Sequence, residues 1–254
     1  MIRFILVAAA VVLFLIFAIP VMLVEWIIGK KDRHLRDVQS LAAVQWIFRV
    51  ILKIAGVKIT VKGKENIPAD RAVLYVGNHR SYFDILVGYT TVPGLVGFVA
   101  KKEMEKIPLL STWMRYVNCL FLDRKNLKEG LKTILEGIDQ VKNGVSVWIF
   151  PEGTRNKQED PMDLLPFKEG SLKIAEKSGC PVVTVAMTGT AEIFEKHFPY
   201  IRPCNVTIEF GKPFFPKELE PEYKKFPGAY AEMQIKAMLA EQNGVHIPTD
   251  KMKG

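Results

Sequence analysis

Cysteine and histidine are scarce in this chain of 254 residues: three cysteines, Cys119, Cys180 and Cys204, and four histidines, His34, His79, His197 and His246. Thiols so few and scattered exclude a disulfide framework and a four-ligand zinc site. The histidines show no ligand spacing, so neither a metal nor a resident cofactor is expected. There is no internal repeat, no low-complexity tract and no G-x-S-x-G elbow of a serine hydrolase. Zinc-finger and aromatic-basic ribonucleoprotein patterns are missing too, which argues against a nucleic-acid partner.

What the chain has is apolar mass and basic charge. Hydrophobic residues make up 49% and the formal net charge is +8, so disorder is excluded and a polyanionic or membrane-surface partner is indicated. Residues 1–60 hold eight Lys/Arg against three Asp/Glu. A basic excess beside an apolar N-terminus fits lipid headgroups better than nucleic acid. Residues 4–24 carry no charge, and a helix of 21 residues at 1.5 Å each reaches about 30 Å, one hydrocarbon core. The run continues through Glu25, Trp26 and Lys30 with no small-residue cleavage site, so it reads as a retained anchor. Lys30, Lys31, Arg33 and Arg36 outnumber Arg3, which puts the remainder on the cytoplasmic face. Pro20 can kink this helix, leaving open a hairpin embedded from one side. A second helix over 40–55 has a polar stripe of Gln45, Arg49 and Lys53 amid apolar residues, and its proximity to the first favours an interfacial position over a buried one.

From residue 57 short β-rich runs alternate with helical periodicity, the pattern of an α/β layer fold. Strands are expected at 57–61, 72–77, 94–100, 119–122, 145–150, 182–187 and 206–210. Helices are expected at 127–141, 168–177 and 223–241. The domain reading is 1–56 for membrane-anchoring helices and 57–254 for a single α/β domain.

Three strand ends carry polar groups suited to chemistry. The first is Asn78-His79-Arg80-Ser81-Tyr82-Phe83-Asp84. His79 and Asp84, five apart, cannot meet within one regular element; Ser81 as a helix N-cap supplies the turn that lets Asp84 swing back to the imidazole. A carboxylate on one ring nitrogen leaves the other free to accept a proton from a hydroxyl. The second end is Asp123-Arg124, with Arg124 placed to grip a phosphate and Asp123 as cap or partner. The third is Pro151-Glu152-Gly153-Thr154-Arg155: Gly153 permits a positive φ, and Glu152 and Arg155 emerge side by side, one to accept from hydroxyls and one to bind an anion. All three lie at C-terminal ends of strands, where open α/β sheets gather ligands.

The blocks NHRSYFD (78–84), FLDR (121–124), FPEGTR (150–155) and CPVVTVAM (180–187) resemble, in order and spacing, those of the glycerolipid acyltransferase family. The resemblance covers roughly residues 40–215. It implies an α/β fold with a mixed central sheet flanked by helices, and a membrane-associated helix pair ahead of it. It also implies an acyl-CoA or acyl-carrier-protein donor, lysophosphatidic acid as acceptor and phosphatidic acid as product. On the matching positions, His79 is the general base, Asp84 its orienting partner, and Arg124, Glu152 and Arg155 the groups that bind glycerol phosphate. Gly153 shapes the loop, Lys101 is a further phosphate contact, and Pro181 is structural. Arg80 stands where many members have Gln, and Asn118-Cys119 where a Gly is common. Another lysophospholipid acceptor, or a non-catalytic lipid-binding protein on the bilayer, is the alternative.

Overall fold

The computed structural model describes residues 1–245. The chain opens with α1 (Ile2–Phe17), α2 (Ile19–Gly29) and α3 (Arg33–Ala55). There follow β1 (Lys58–Lys62), β2 (Leu74–Gly77), α4 (Phe83–Thr91), β3 (Val96–Lys101), α5 (Leu110–Tyr116), β4 (Leu120–Leu122) and α6 (Leu127–Lys142). Then come β5 (Ser146–Ile149), α7 (Lys173–Ser178), β6 (Val182–Thr188), β7 (Asn205–Phe210), α8 (Pro221–Lys225) and α9 (Pro227–Gln242). All seven expected strands form one sheet of order β1-β7-β6-β2-β5-β3-β4. β6, β2, β5, β3 and β4 are mutually parallel, while β7 runs antiparallel to β6 and pairs in parallel with β1. The sheet is therefore mixed, and the C-terminal ends of its five parallel strands share one edge.

Alternation along the strands separates two cores. Leu74 and Val76 of β2 face one side, with Val147, Ile149, Val182, α6, α7 and α9. Tyr75 faces the other, with Phe98, Trp148, Val183, Phe210 and the N-terminal helices. On that face Tyr75, Trp148 and Phe98 stack in a row at 5.1 and 5.0 Å between centroids. α4 lies against the row at Gly88, where a Cβ would come within 2.8 Å of Phe98; any side chain there would lift the helix that carries Asp84.

Two expectations for the N-terminus change. The uninterrupted 21-residue helix is broken at Ala18, and α1 and α2 diverge by 49°. Pro20 supplies no backbone N–H, so the ladder loses a bond at that point. The helix over 40–55 begins earlier, at Arg33, capped by Asp32, whose side chain accepts from Leu35 N. It is less interfacial than its stripe suggested. Leu41, Val44, Ile47, Ile51, Leu52 and Ala55 are buried in the core, and Gln45 donates to the carbonyl of Tyr89 in α4 at 2.9 Å. The polar stripe thus partly satisfies the protein interior, and the apolar surplus is on α1 and α2: Ile2, Leu6, Leu13, Phe17, Leu23, Trp26 and Ile27 are each at least half exposed. Phe4 of α1 stacks on Phe194, 5.8 Å away, in the segment after β6.

Candidate active site

The β2 end turns into α4 through five residues. The N-cap of α4 is Tyr82 rather than the expected Ser81, and no side chain caps the helix; Ser81 stands one residue earlier, where its Oγ accepts from Phe83 N at 3.0 Å, and Asp84 stands in the first turn. Asp84 Oδ2 then accepts from three donors: His79 Nδ1 at 2.8 Å, Arg80 N at 2.8 Å and Ser81 N at 2.8 Å. The carboxylate is 1% exposed, so the turn is wrapped around it. With Nδ1 held by Asp84, that nitrogen carries the proton in the neutral ring and Nε2 presents its lone pair. Nε2 has no hydrogen-bond partner among the described residues. Phe150 stacks on the imidazole at 4.0 Å and 10°, closing one ring face.

The structure corrects the expectation that Glu152 emerges beside Arg155. Glu152 is buried, with Oε1 accepting from His79 N at 2.8 Å and Oε2 from Leu165 N at 3.0 Å. The reason is the end of the β ladder: amides there lose their strand partners and must find other acceptors. Asn156 N donates to His79 O at 2.6 Å, so both main-chain polar groups of His79 are held by the segment following β5. Burial pushes the Glu152 carboxyl above its usual range, and the two amides oppose this. Gly153 has the expected positive φ, 73°, and packs against Lys168.

Glu152→Gln leaves one of the two amides facing a side-chain N–H and is expected to cost about 1–3 kcal/mol. Because the folded-state pKa is raised, the folded protein binds the proton more tightly than the unfolded chain. Stability from this group therefore rises as pH falls from the folded pKa toward the ordinary carboxylate value. Thermal melts of both proteins over that range should show the wild-type advantage growing in acid; a pH-independent gap would contradict the assignment.

The cationic residues do not form one cradle. Arg155 turns toward the segment after β6, pairing with Glu195 at 3.2 Å and donating to Tyr82 Oη at 3.0 Å, its guanidinium 3.7 Å over the Tyr82 ring. Lys101 and Arg124 leave the opposite corner of the edge, where Lys101 is in register with Leu122. Both are exposed, and neither forms a hydrogen bond or ion pair among the described residues. β4 is three strands from β2, roughly 14 Å at about 4.8 Å per strand. His79 is thus flanked by Arg155 on one side and by Lys101 and Arg124 on the other. Asp123 is not the cap of α6; it accepts from Lys125 N and Asn126 N, and Asn126 is the cap.

Several contributors were not foreseen. Asn78 bridges β2 to β6, donating to Met187 O and accepting from Met187 N. Arg80 is buried and donates to the carbonyls of Gln158 and Asp160, so its departure from Gln clamps the loop after FPEGTR. Ser81 is fully buried and donates to Glu195 Oε2 at 2.6 Å, which leaves it unsuited to act as an exposed nucleophile. Asn78, Arg80 and Asn156 sit in or beside visible motifs. Glu195 has no sequence signal.

Comparison with known proteins shows the family and the fold. Residues 58–188 match the family model described as Acyltransferase. A 1-acyl-sn-glycerol-3-phosphate acyltransferase of Saccharomyces cerevisiae is 31% identical over 69% of this chain and 59% of its own length. The Borreliella burgdorferi enzyme of the same name is 31% identical over 63% of each chain, and that of Cocos nucifera 33% over 68% of this chain and 55% of its own. The alignment thus spans less than two thirds of these relatives' length. A solved structure, the 1-acyl-sn-glycerophosphate (LPA) acyltransferase PlsC from Thermotoga maritima, superposes with a TM-score of 0.78 at 29% identity, covering 97% of this chain and 96% of that one. With the matched segment enclosing the His79 turn, the Glu152 loop and six of the seven strands, the chain belongs to the Acyltransferase family.

Proposed function

We propose that this chain moves a fatty acyl group from a thioester, acyl-CoA or acyl-carrier protein, to the 2-hydroxyl of 1-acylglycerol 3-phosphate, giving phosphatidic acid. The observation that carries the reading is the His79–Asp84 pair, 2.8 Å apart, with the second ring nitrogen unpartnered. Nε2 removes the hydroxyl proton as the oxygen attacks the thioester carbonyl; the tetrahedral intermediate collapses, and the thiolate leaves. No covalent enzyme intermediate is needed, in keeping with the buried Ser81 hydroxyl, which is bound to Glu195. Asp84 holds the ring in the useful tautomer and balances the charge of the imidazolium.

Arg155 is the residue proposed to take the acceptor's phosphate, since it is partly exposed and retains donors beyond those facing Glu195 and Tyr82. Lys101 and Arg124, across His79 from Arg155 and sharing no cradle with it, are proposed to meet a phosphate other than the one Arg155 takes, and Gly153 shapes the loop after β5. The apolar surface of α1 and α2, with the basic residues after it, is proposed to hold the protein on the cytoplasmic face of a membrane. Incubating membranes holding the expressed protein with defined lysolipids and both donor types, then identifying products by mass, tests the function. Phosphatidic acid made only by the active protein supports it; no acyl transfer to any lysolipid rejects it. Arg155→Ala is expected to raise the apparent KM for lysophosphatidic acid about 10- to 100-fold, the worth of a charge-assisted hydrogen bond. An unchanged KM would remove Arg155 from that role.

A further inference from the structure

Glu195 belongs to none of the four motifs, yet it touches both halves of the site. Its Oε1 accepts from Tyr82 N at 2.8 Å and from Arg155 Nη1 at 3.2 Å, and its Oε2 accepts from Ser81 Oγ at 2.6 Å. Ser81 and Tyr82 form the turn that folds Asp84 back to His79. The side chain is 19% exposed, so these bonds are largely shielded from water and are worth more than exposed ones. Arg155 is caught between this carboxylate and the Tyr82 ring, which fixes a side chain that otherwise samples many rotamers.

Resting on the proposed function above, we propose that Glu195 is a positioning residue that sets the acceptor arginine and the catalytic turn in one geometry. Through Oε1 it ties the phosphate-binding group to the main chain at Tyr82, and through Oε2 it anchors the Ser81 hydroxyl. The glycerol backbone bounds the distance between the acceptor's phosphate and its reacting hydroxyl, so holding Arg155 and His79 at one separation restricts the acceptor to poses that span it. Glu195 supplies that separation from outside both motifs.

The geometry also states which substitute should work. A glutamine at 195 can accept from Tyr82 N and Arg155 through Oε1 and, with the bond reversed, donate from Nε2 to Ser81 Oγ, keeping the links to both halves of the site but losing the charge and the acceptor for the Ser81 hydroxyl proton. An alanine reproduces none. The test measures initial rates for the wild type, Glu195→Ala, Glu195→Gln, Arg155→Ala and the Glu195→Ala/Arg155→Ala double variant, with lysophosphatidic acid and the preferred thioester varied separately. Melting temperatures are taken on the same preparations.

Glu195→Ala is expected to raise the acceptor KM about tenfold and lower kcat by a similar factor while the donor KM stays within about threefold. Glu195→Gln should recover most of both losses. In the Arg155→Ala background the alanine at 195 should add little to acceptor KM, because the group it positions is gone. Glu195→Ala indistinguishable from wild type would overturn the proposal, as would equal rises in donor and acceptor KM, or a Gln variant as impaired as the Ala variant. A wild-type protein with no acyl transfer would instead refute the functional reading on which it rests, so the two failures are distinct.

Discussion

His79→Ala is expected to lower kcat by about 10³-fold or more while leaving the fold in place, since positioned general bases contribute about 10²–10⁴. The imidazole is partly exposed and stacked on Phe150, and its removal leaves Asp84 Oδ2 with two of its three donors, Arg80 N and Ser81 N. The turn therefore survives the substitution. The check is a pair of measurements: steady-state rates at saturating substrates, and thermal unfolding in the same detergent. A variant that melts normally and keeps more than about a tenth of wild-type turnover would show that the proton goes elsewhere.

Asp84→Asn is expected to cost nearly as much, about 10²–10⁴ in kcat, with acceptor KM little changed. The amide oxygen can take the place of Oδ2 and keep its donors, but the charge proposed to balance an imidazolium is lost. The amide nitrogen then occupies the site of Oδ1, which is buried and has no partner within the chain. That unsatisfied donor costs about 1–3 kcal/mol, so a lower melting temperature should accompany the loss of rate. Full activity with a lowered melting temperature would reduce Asp84 to an organiser of the turn.

The turn that joins these two residues was legible because a spacing of five needs a strand end followed by a first helical turn, but H-x4-D alone is weak, and it was the resemblance of the NHRSYFD and FPEGTR blocks to the acyltransferase family that singled the pair out. The strands were legible for a similar local reason, as apolar runs bounded by glycine, proline and charge. α5 was not, since it is only seven residues long, follows Pro108 and begins after Leu109 at φ 62° without a side-chain cap. The inward turn of Glu152 was hidden because a sequence shows a carboxylate next to an arginine but not the amides that lack acceptors once the sheet ends. Glu195 is 114 residues from Ser81 and 40 from Arg155, a separation no periodicity reports. The reach of α3 into the core was obscured for another reason. An amphipathic pattern says that a face is apolar without saying whether lipid or a sheet will cover it.

The grip of Glu152 and Asn156 on the main chain of His79 joins two segments 73 residues apart into one mechanical part. For anyone who would exchange pieces between relatives to change which lipid is made, the unit of transplantation is then neither motif alone. The loop after β5 and the turn after β2 must travel together, or the recipient's imidazole will be aimed by a foreign hand.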